Sequence, residues 1–223
     1  MEKFILISCV LFLWSTSSCV SGNSPHKRAV VKFDNALDKW VPPMDLQLRF
    51  PYYLTGYDDE NRPIWVVEFG KWNLRKVVEQ GGESLHNLSR YIDQAFWRLQ
   101  RSIDLRSTPE FPVTDGIGIF DLENYDVFQI ASVPTLQFII QKAREIEPTT
   151  PHMDKGFFLN VNFVAQTFLN FLKPVLGAFL AKSEIYGTNR ARWIPDMLKK
   201  LPRDQLPEWY GGYKDFRPVA VYG

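Results

Sequence analysis

Residues 157–181 read FFLNVNFVAQTFLNFLKPVLGAFLA, and this stretch decides the fold. Its first six residues, 157–162, are mostly aromatic and apolar, which predicts a buried β-strand. Residues 163–181 predict a helix whose clearly polar members are Gln166, Thr167, Asn170 and Lys173. We expect Pro174 to kink or split this helix, because proline lacks the backbone donor and clashes with the preceding turn.

The polar face of the helix predicted over residues 163–181 is too narrow for an ordinary surface helix. One interpretation is a helix that is buried on every side. The other is a helix whose apolar face covers a cavity and at times faces a membrane. The pattern alone leaves both interpretations open.

Outward from this stretch, strands and helices alternate along the chain. Extended segments or strands are predicted over residues 50–57, 63–69, 117–121, 157–162 and 184–186. Helices are predicted over residues 83–106, 128–145, 163–181 and 191–200. This alternation predicts an α/β fold with a mostly parallel sheet and crossover helices. The continuous apolar character of the strands favours a sheet that is covered on both faces.

The composition excludes one class of partner. The 223 residues carry 26 basic and 25 acidic side chains, for a net charge of +1. A nucleic-acid-binding protein needs a concentrated basic face, so we expect no nucleic-acid partner. The aromatic share of 15% is enough to fill a large core.

The first 22 residues are predicted to be a secretory signal peptide. A charged start (residues 1–3) precedes an apolar run (4–14) and a small polar stretch (15–22), which is the usual order of such peptides. The alternative is a buried N-terminal element. The apolar run is too short for a membrane span, which needs about 20 residues. We therefore expect a secreted, extracellular protein, which loses both Cys9 and Cys19 on cleavage.

The rest of the chain divides into two parts. Residues 23–48 are predicted to be a polar leader with one short helix around residues 34–40, and residues 49–223 to be a single domain. Asn87 begins a glycosylation tripeptide, so the protein is a candidate glycoprotein in the secretory route.

No pattern of catalytic residues stands out. The sequence has no Gly-x-Ser-x-Gly nucleophile elbow, and Gly116-Ile117-Gly118 lacks the third glycine of a dinucleotide loop. The three histidines are scattered without metal-ligand spacing. Asp121 and Glu123 could form a carboxylate pair at a strand end, but a structural role is favoured. We expect no enzyme, no metal and no cofactor.

Three passages resemble one family. Residues 56–64, GYDDENRPI, are similar to a hairpin of the pattern D-x-x-G-R-P-V, with Asn61 at the usual glycine. The strand 157–162 followed by residues 171–176, FLKPVL, is the second match, and residues 206–212, LPEWYGG, are the third. In this order and spacing they resemble the CRAL-TRIO domain, the lipid-binding domain of phosphatidylinositol transfer, tocopherol transfer and retinal-binding proteins.

The resemblance implies a mixed, mainly parallel sheet that forms the floor of an apolar pocket. It also implies that the helix over residues 163–172 is a movable gate over this pocket. The strand residues expected to line the pocket are Trp65, Ile117, Ile119, Phe158 and Val161. Those expected from the gate region are Phe163, Phe168, Phe171, Leu172 and Phe179.

The resemblance also places Lys182 where phosphatidylinositol-transferring members contact an inositol phosphate. The acidic companion of that lysine is His152 here, and the hydroxyl residues that contact phosphocholine fall near Gly116 and Gly118. These departures weigh against phosphoinositide and phosphatidylcholine.

The function expected from the resemblance is that of a carrier. It binds a single hydrophobic ligand, a lipid, and exchanges it during transient contact with a membrane surface. Two alternatives stay open: a secreted carrier of a terpenoid, retinoid or tocopherol-like molecule, and a protein-interaction module whose pocket is filled by side chains.

Overall fold

The computed structural model describes residues 36–223. The predicted signal peptide (1–22) and the first part of the predicted leader (23–35) lie outside the described residues. The described part of the leader forms two short helices, α1 (Ala36–Lys39) and α2 (Met44–Arg49). Leu37 and Leu46 are buried, so these helices belong to the packed structure.

Six strands in the described part of the chain form a single sheet. They are β1 (Tyr52–Tyr57), β2 (Pro63–Val67), β3 (Gly116–Asp121), β4 (Met153–Leu159), β5 (Glu184–Ile185) and β6 (Ala220–Val221). Their order across the sheet is β5-β4-β3-β2-β1-β6. Strands β2 to β5 are parallel, whereas β1 is antiparallel to both β2 and β6. The prediction of a mixed, mainly parallel sheet is confirmed, and β6 is a strand that the sequence pattern did not predict.

A tight turn joins β1 to β2. The Asp58 carboxylate accepts hydrogen bonds from the backbone N–H groups of Glu60 (3.0 Å) and Arg62 (2.8 Å). Asn61 has a φ of 61°, in the left-handed region that glycine and asparagine tolerate best. Asn61 can therefore stand where the hairpin pattern D-x-x-G-R-P-V has glycine.

The helices are α3 (Leu74–Gln80), α4 (Gly82–Ile103), α5 (Val127–Ile130), α6 (Val133–Ile146), α7 (Phe163–Lys182) and α8 (Arg190–Met197). The helix predicted over residues 128–145 is in fact two helices, because Ser132 has extended backbone. Pro134 then lies in the first turn of α6, where its missing N–H has no helical partner to lose. Helix α3 was not predicted, although Asn73 caps its start and Gly81 follows its end.

Alternate side chains of the strands face two separate apolar layers. On one face, Tyr53, Ile64, Val66, Ile117, Ile119, Phe157 and Leu159 pack against Trp193 and Met197 of α8 and against Leu206 and Tyr210. On the other face, Tyr52, Trp65, Phe120 and Phe158 pack beneath the remaining helices. The sheet is therefore covered on both faces, as its continuous apolar strands predict.

Candidate ligand-binding cavity

A cavity of about 180 Å³ lies between the sheet and helices α4, α6 and α7. Strands β1 to β4 form its floor, and its lining is almost wholly apolar or aromatic. Well-packed cores contain few voids larger than a water molecule. A cavity of about 150 Å³ with an aliphatic and aromatic lining stays dry and takes up small apolar molecules. The space in this protein is thus suited to an apolar guest.

Two glycines lower the floor of the cavity. In the parallel register Trp65 of β2 lies beside Gly118 of β3, which lies beside Gly156 of β4. A Cβ atom on Gly118 would come within 2.6 Å of the Phe120 ring, and one on Gly156 within 2.9 Å of the Phe179 ring. The aromatic rings therefore lean over the space that the two glycines leave free.

The rings above this floor contact one another. Phe120 stacks on Phe158 with ring centroids 4.9 Å apart, and the Phe179 ring meets both at centroid distances of 6.1 and 6.2 Å. Phe168 stacks on Phe69 at 5.7 Å, nearer the start of α7. Helix α7 thus contributes a ring to the cavity roof from each of its halves.

Helix α7 has an inner face and an outer face of different packing. Ala165, Phe168, Leu169, Leu172, Phe179 and Leu180 are buried. Phe163 is 87% exposed and Phe171 40% exposed. By length and mean hydropathy (1.4 over eighteen residues) α7 would pass as a membrane span, yet its inner face packs on this domain. Its outer face presents apolar side chains to the surroundings.

Both ends of α7 are fixed, and its middle is interrupted. At the start, the side-chain Oδ1 of Asn162 accepts from the Ala165 N–H at 2.9 Å, and the side-chain Nδ2 of Asn162 donates to the Tyr125 carbonyl oxygen at 2.8 Å. At the end, Lys182 donates to the carbonyl oxygens of Thr150 (3.3 Å) and Met153. Between them, Leu176 leaves helical geometry (φ −103°, ψ 18°) two residues after Pro174.

A family model described as "CRAL/TRIO domain" matches residues 49–212. The chain belongs to the CRAL-TRIO family. CRAL-TRIO is a lipid-binding family.

Curated relatives agree with this assignment. The chain is 22% identical to the SEC14 cytosolic factor of Kluyveromyces lactis over 173 residues, which are 74% of this chain and 54% of that protein. It is 24% identical to the SEC14 cytosolic factor of Eremothecium gossypii, over 74% of this chain and 53% of that protein. The chain thus spans about half the length of the curated relatives it matches.

A solved structure shares the fold. The crystal structure of Sfh5 superposes with a TM-score of 0.61 at 14% identity, covering 83% of this chain and 65% of that one. At this identity the likeness concerns the fold alone.

Five of the residues predicted to contact a ligand line the cavity of this CRAL-TRIO domain. They are Trp65, Phe158, Phe168, Leu172 and Phe179. Val161 packs in the same apolar layer without lining the space. Phe163 and Phe171 lie on the outer side of α7, and Lys182 is exposed at its end. Contact of the five lining residues with a ligand stays a prediction.

Ile117 and Ile119 were expected in the pocket wall, and that placement is wrong. Both face α8 on the opposite side of the sheet, while their neighbours Gly118 and Phe120 line the cavity. The cause is the two-residue period of a strand, in which a shift of one residue exchanges the faces.

Helices α4 and α6 contribute walls that the sequence reasoning missed. Ile92, Ala95, Phe96 and Leu99 come from α4, and Phe138, Ile139, Lys142 and Ala143 from α6. The apolar stripe of α4 could have predicted these wall residues. A helix face that is directed at the sheet also borders any space between the helix and the sheet.

Asp121 and Glu123 do not form a carboxylate pair. Asp121 is buried and accepts from the Asn160 amide and the Tyr210 hydroxyl, both at 2.8 Å. Glu123 is half exposed and pairs with Arg190 at 2.9 Å. Asp121 therefore has the structural role that was favoured for it. Within residues 36–223, no group of three potential metal ligands comes together.

The other predictions concern residues outside the cavity. Asn87 is half-buried within α4, and its glycosylation stays a prediction. His152 contacts the Thr114 carbonyl through Nδ1 at 3.2 Å. His152 thus contacts the segment before β3, while Lys182 is bonded to the backbone oxygens of Thr150 and Met153.

Proposed function

We propose that this protein carries one apolar ligand in the cavity beneath α7 and exchanges it at membranes. The observation that supports it best is the apolar space itself, which leaves room between the sheet and α7 where a solid core would have none. A pocket filled by side chains, as the interaction-module alternative requires, does not agree with this space. Carriage of this kind makes and breaks no covalent bond.

The energetic reason for a closed cavity is the cost of exposing alkyl chains to water. Moving one methylene from an apolar medium into water costs about 0.8 kcal/mol. A chain of about 16 carbons would therefore cost on the order of 12 kcal/mol. An enclosed apolar cavity removes most of this cost while the ligand crosses the aqueous phase.

We propose that residues 163–175 are the gate segment, which moves outward to open the cavity. Two features support this choice. Its ends coincide with the Asn162 cap and the break at Leu176, where backbone angles can change without breaking a long run of helical bonds. Its outer face carries the exposed Phe163 ring, which a membrane interior would solvate better than water.

Native mass spectrometry of the full chain from a eukaryotic secretory host tests the carrier proposal. We expect a one-to-one complex with an extractable apolar molecule. Ala95→Leu adds bulk to the cavity wall on α4, so we expect about tenfold weaker ligand retention, as overpacking costs about 1–3 kcal/mol. Ala191→Leu, at an exposed position of α8, is the matched control. Protein without bound ligand and without uptake from liposomes would contradict the proposal.

A second candidate is a carrier of a terpenoid, retinoid or tocopherol-like molecule. It is favoured by Lys182, whose ammonium is already bonded to the carbonyl oxygens of Thr150 and Met153 and is absent from the cavity lining. Binding of phosphatidylinositol vesicles that is lost in Lys182→Ala would instead favour a phospholipid. Extraction and identification of the bound molecule decides between the two.

We also propose that the protein is secreted, on the support of the charged, apolar and small polar order of residues 1–22. Expression of the full chain in cultured eukaryotic cells should place it in the medium with a new N-terminus near residue 23. Retention in the cytosol with Met1 intact would contradict this.

A further inference from the structure

Lys142 is the one charged residue in the cavity lining within the described part of the chain. It lies on the inner face of α6 and is only 6% exposed. A buried lysine in an apolar setting is costly unless its ammonium is paired. The partners of the three N–H groups of Lys142 therefore decide whether its burial beside an apolar space is stable.

Two of the three donors of this ammonium are taken. The Nζ atom lies 2.8 Å from an Asp93 carboxylate oxygen on α4 and 2.7 Å from a Glu145 oxygen on α6. An ammonium carries three N–H groups, so one is left without a partner among residues 36–223. The indole nitrogens of Trp65 and Trp72, the other side-chain nitrogen donors of the lining, already donate to Ser102 and Pro51.

The charge of this cluster limits what the remaining donor can accept. One ammonium faces two carboxylates, so the cluster has a net charge of −1. The carboxylates are partly exposed, at 32% and 42% of their side chains, and so keep their own solvation. A ligand with a carboxylate or phosphate at this point would meet an excess of negative charge close by.

We propose that Lys142 donates its third N–H to a neutral oxygen at the polar end of the ligand. The ligand class is thus an apolar molecule with an alcohol, aldehyde, ketone or ester group. This inference rests on the proposed function and adds to it the recognition of the polar end, from within the cavity.

Binding of three matched probes to the delipidated full chain tests the inference. Hexadecan-1-ol, hexadecane and hexadecanoate share a chain length and differ at one end. Hydrogen bonds to charged groups are strong, so we expect the alcohol to bind about tenfold more tightly than the alkane. We expect hexadecanoate to bind more weakly than the alcohol, because of the carboxylates at Asp93 and Glu145.

Variants assign the effect to Lys142. Lys142→Met keeps an unbranched chain without donors, so the advantage of the alcohol should disappear while hexadecane binds as before. Lys142→Arg should restore most of the advantage. Lys200→Met is the matched control, because Lys200 pairs with Glu184 away from the cavity.

An alcohol advantage that persists in Lys142→Met would overturn the inference. Wild-type protein that binds hexadecanoate at least as tightly as the alcohol would overturn it as well. The wild-type comparison holds even if Lys142→Met does not fold. Failure to bind all three probes would overturn the proposed carrier function itself, whereas equal binding of alkane and alcohol overturns only the role of Lys142.

Discussion

The Asp121 carboxylate joins three parts of the chain at the edge of the sheet. It accepts from Asn160 after β4, from Tyr210 near the C-terminus and from the Glu123 N–H at 2.9 Å. Burial, together with the negative charge of Asp121, raises the pKa of the Tyr210 phenol, which therefore stays a donor at neutral pH. One buried acceptor thus fixes two strand ends and the closing segment relative to one another.

Asp121→Ala should destabilise the fold strongly. It leaves the Asn160 amide and the Tyr210 hydroxyl buried without their acceptor, and we expect a loss of about 3 kcal/mol in the free energy of unfolding. Urea denaturation followed by tryptophan fluorescence measures this. Glu123→Ala is the control, because a half-exposed ion pair contributes about 1 kcal/mol or less. Equal losses in the two variants would contradict this role for Asp121.

The pKa of Glu145 reports the state of the Lys142 ammonium. Burial acts to raise this pKa, but hydrogen bonds from Lys142 and Gln141 outweigh it, so the pKa lies below its ordinary value of 4.5. A carboxyl with a lowered folded-state pKa stabilises the fold fully above its unfolded value. That contribution is lost as the pH falls through the folded pKa.

Lys142→Met should therefore raise the pKa of Glu145, as measured by carboxyl-carbon NMR titration. The stability difference between wild type and variant should shrink as the pH falls below about 4.5, where the interaction is lost in the wild type as well. Lys200→Met should leave Glu145 unchanged and raise the pKa of Glu184, whose own pKa Lys200 helps to lower. If the pKa of Glu145 is unchanged in Lys142→Met, the ion pair between Lys142 and Glu145 is not formed in solution.

The sequence predicts which segments lie at the cavity better than it predicts the face of the sheet on which each strand side chain lies. The aromatic positions Trp65, Phe158 and Phe179 were placed at the cavity because their neighbourhood fitted the family pattern. Ile117 and Ile119 were misplaced, since apolar residues on both faces of a buried strand remove the alternation that would reveal its inward side. A glycine such as Gly118 inside a strand was the better signal, because it marks close approach of another group.

Among the elements, α7 carries both the break expected from its proline and the exposed apolar face. Pro174 and Gly177 flank the distorted Leu176, and an added Cβ on Gly177 would meet no atom within 4 Å. Packing therefore does not require glycine at position 177, and together Pro174 and Gly177 weaken the helix at this point. If the gate segment pivots at Leu176, substitutions that strengthen the helix there should slow the opening of the cavity.

Pro174→Ala with Gly177→Ala should slow ligand exchange between the protein and vesicles about tenfold, with little change in affinity. Proline costs about 3 kcal/mol and glycine about 1 kcal/mol relative to alanine within a helix, so the variant helix resists bending. Stopped-flow transfer of a fluorescent lipid measures the rate. Pro195→Ala within α8, on the opposite side of the sheet, is the control. Unchanged exchange would place the moving part elsewhere.

Long elements could be predicted because their periodicity is strong, as in α4. The elements that were missed are short and depend on partners elsewhere. Helix α3 has seven residues, and β6 has two that form a strand only through pairing with Tyr53 and Leu54. The division between α5 and α6 likewise comes from the backbone of a single residue, Ser132.

At the scale of the whole molecule, the segment around β6 completes the sheet and one end of the cavity wall. Tyr222 stacks on Tyr52 and Trp65 at centroid distances of 5.3 and 6.0 Å, and the Arg98 guanidinium lies 3.7 Å from the centre of its ring. Tyr52 and Trp65 both line the cavity. The last strand of the chain, β6, pairs with the first strand, β1. This part of the strand order depends on long-range contacts, which a local sequence pattern does not reveal.

Removal of residues 218–223 should promote self-association and faster loss of ligand. It uncovers the backbone edge of β1, and unpaired strand edges join one another. Light scattering after size-exclusion chromatography measures the first effect. Tyr222→Phe keeps the ring and the strand, so it should behave like the wild type. A truncated protein with an unchanged oligomeric state and unchanged ligand retention would show that β6 is dispensable.

The two glycines in register with Trp65, Gly118 and Gly156, affect the range of ligands that the cavity can accept. The atoms nearest to a Cβ built on Gly118 or Gly156 all belong to side chains, most of them the rings of Phe120, Phe158 and Phe179. Molecules of unequal length can then be accommodated by χ-angle changes of Phe120 and Phe179 while the strands beneath stay where they are. Complexes with short and long guests should share one scaffold and differ in ring orientation alone.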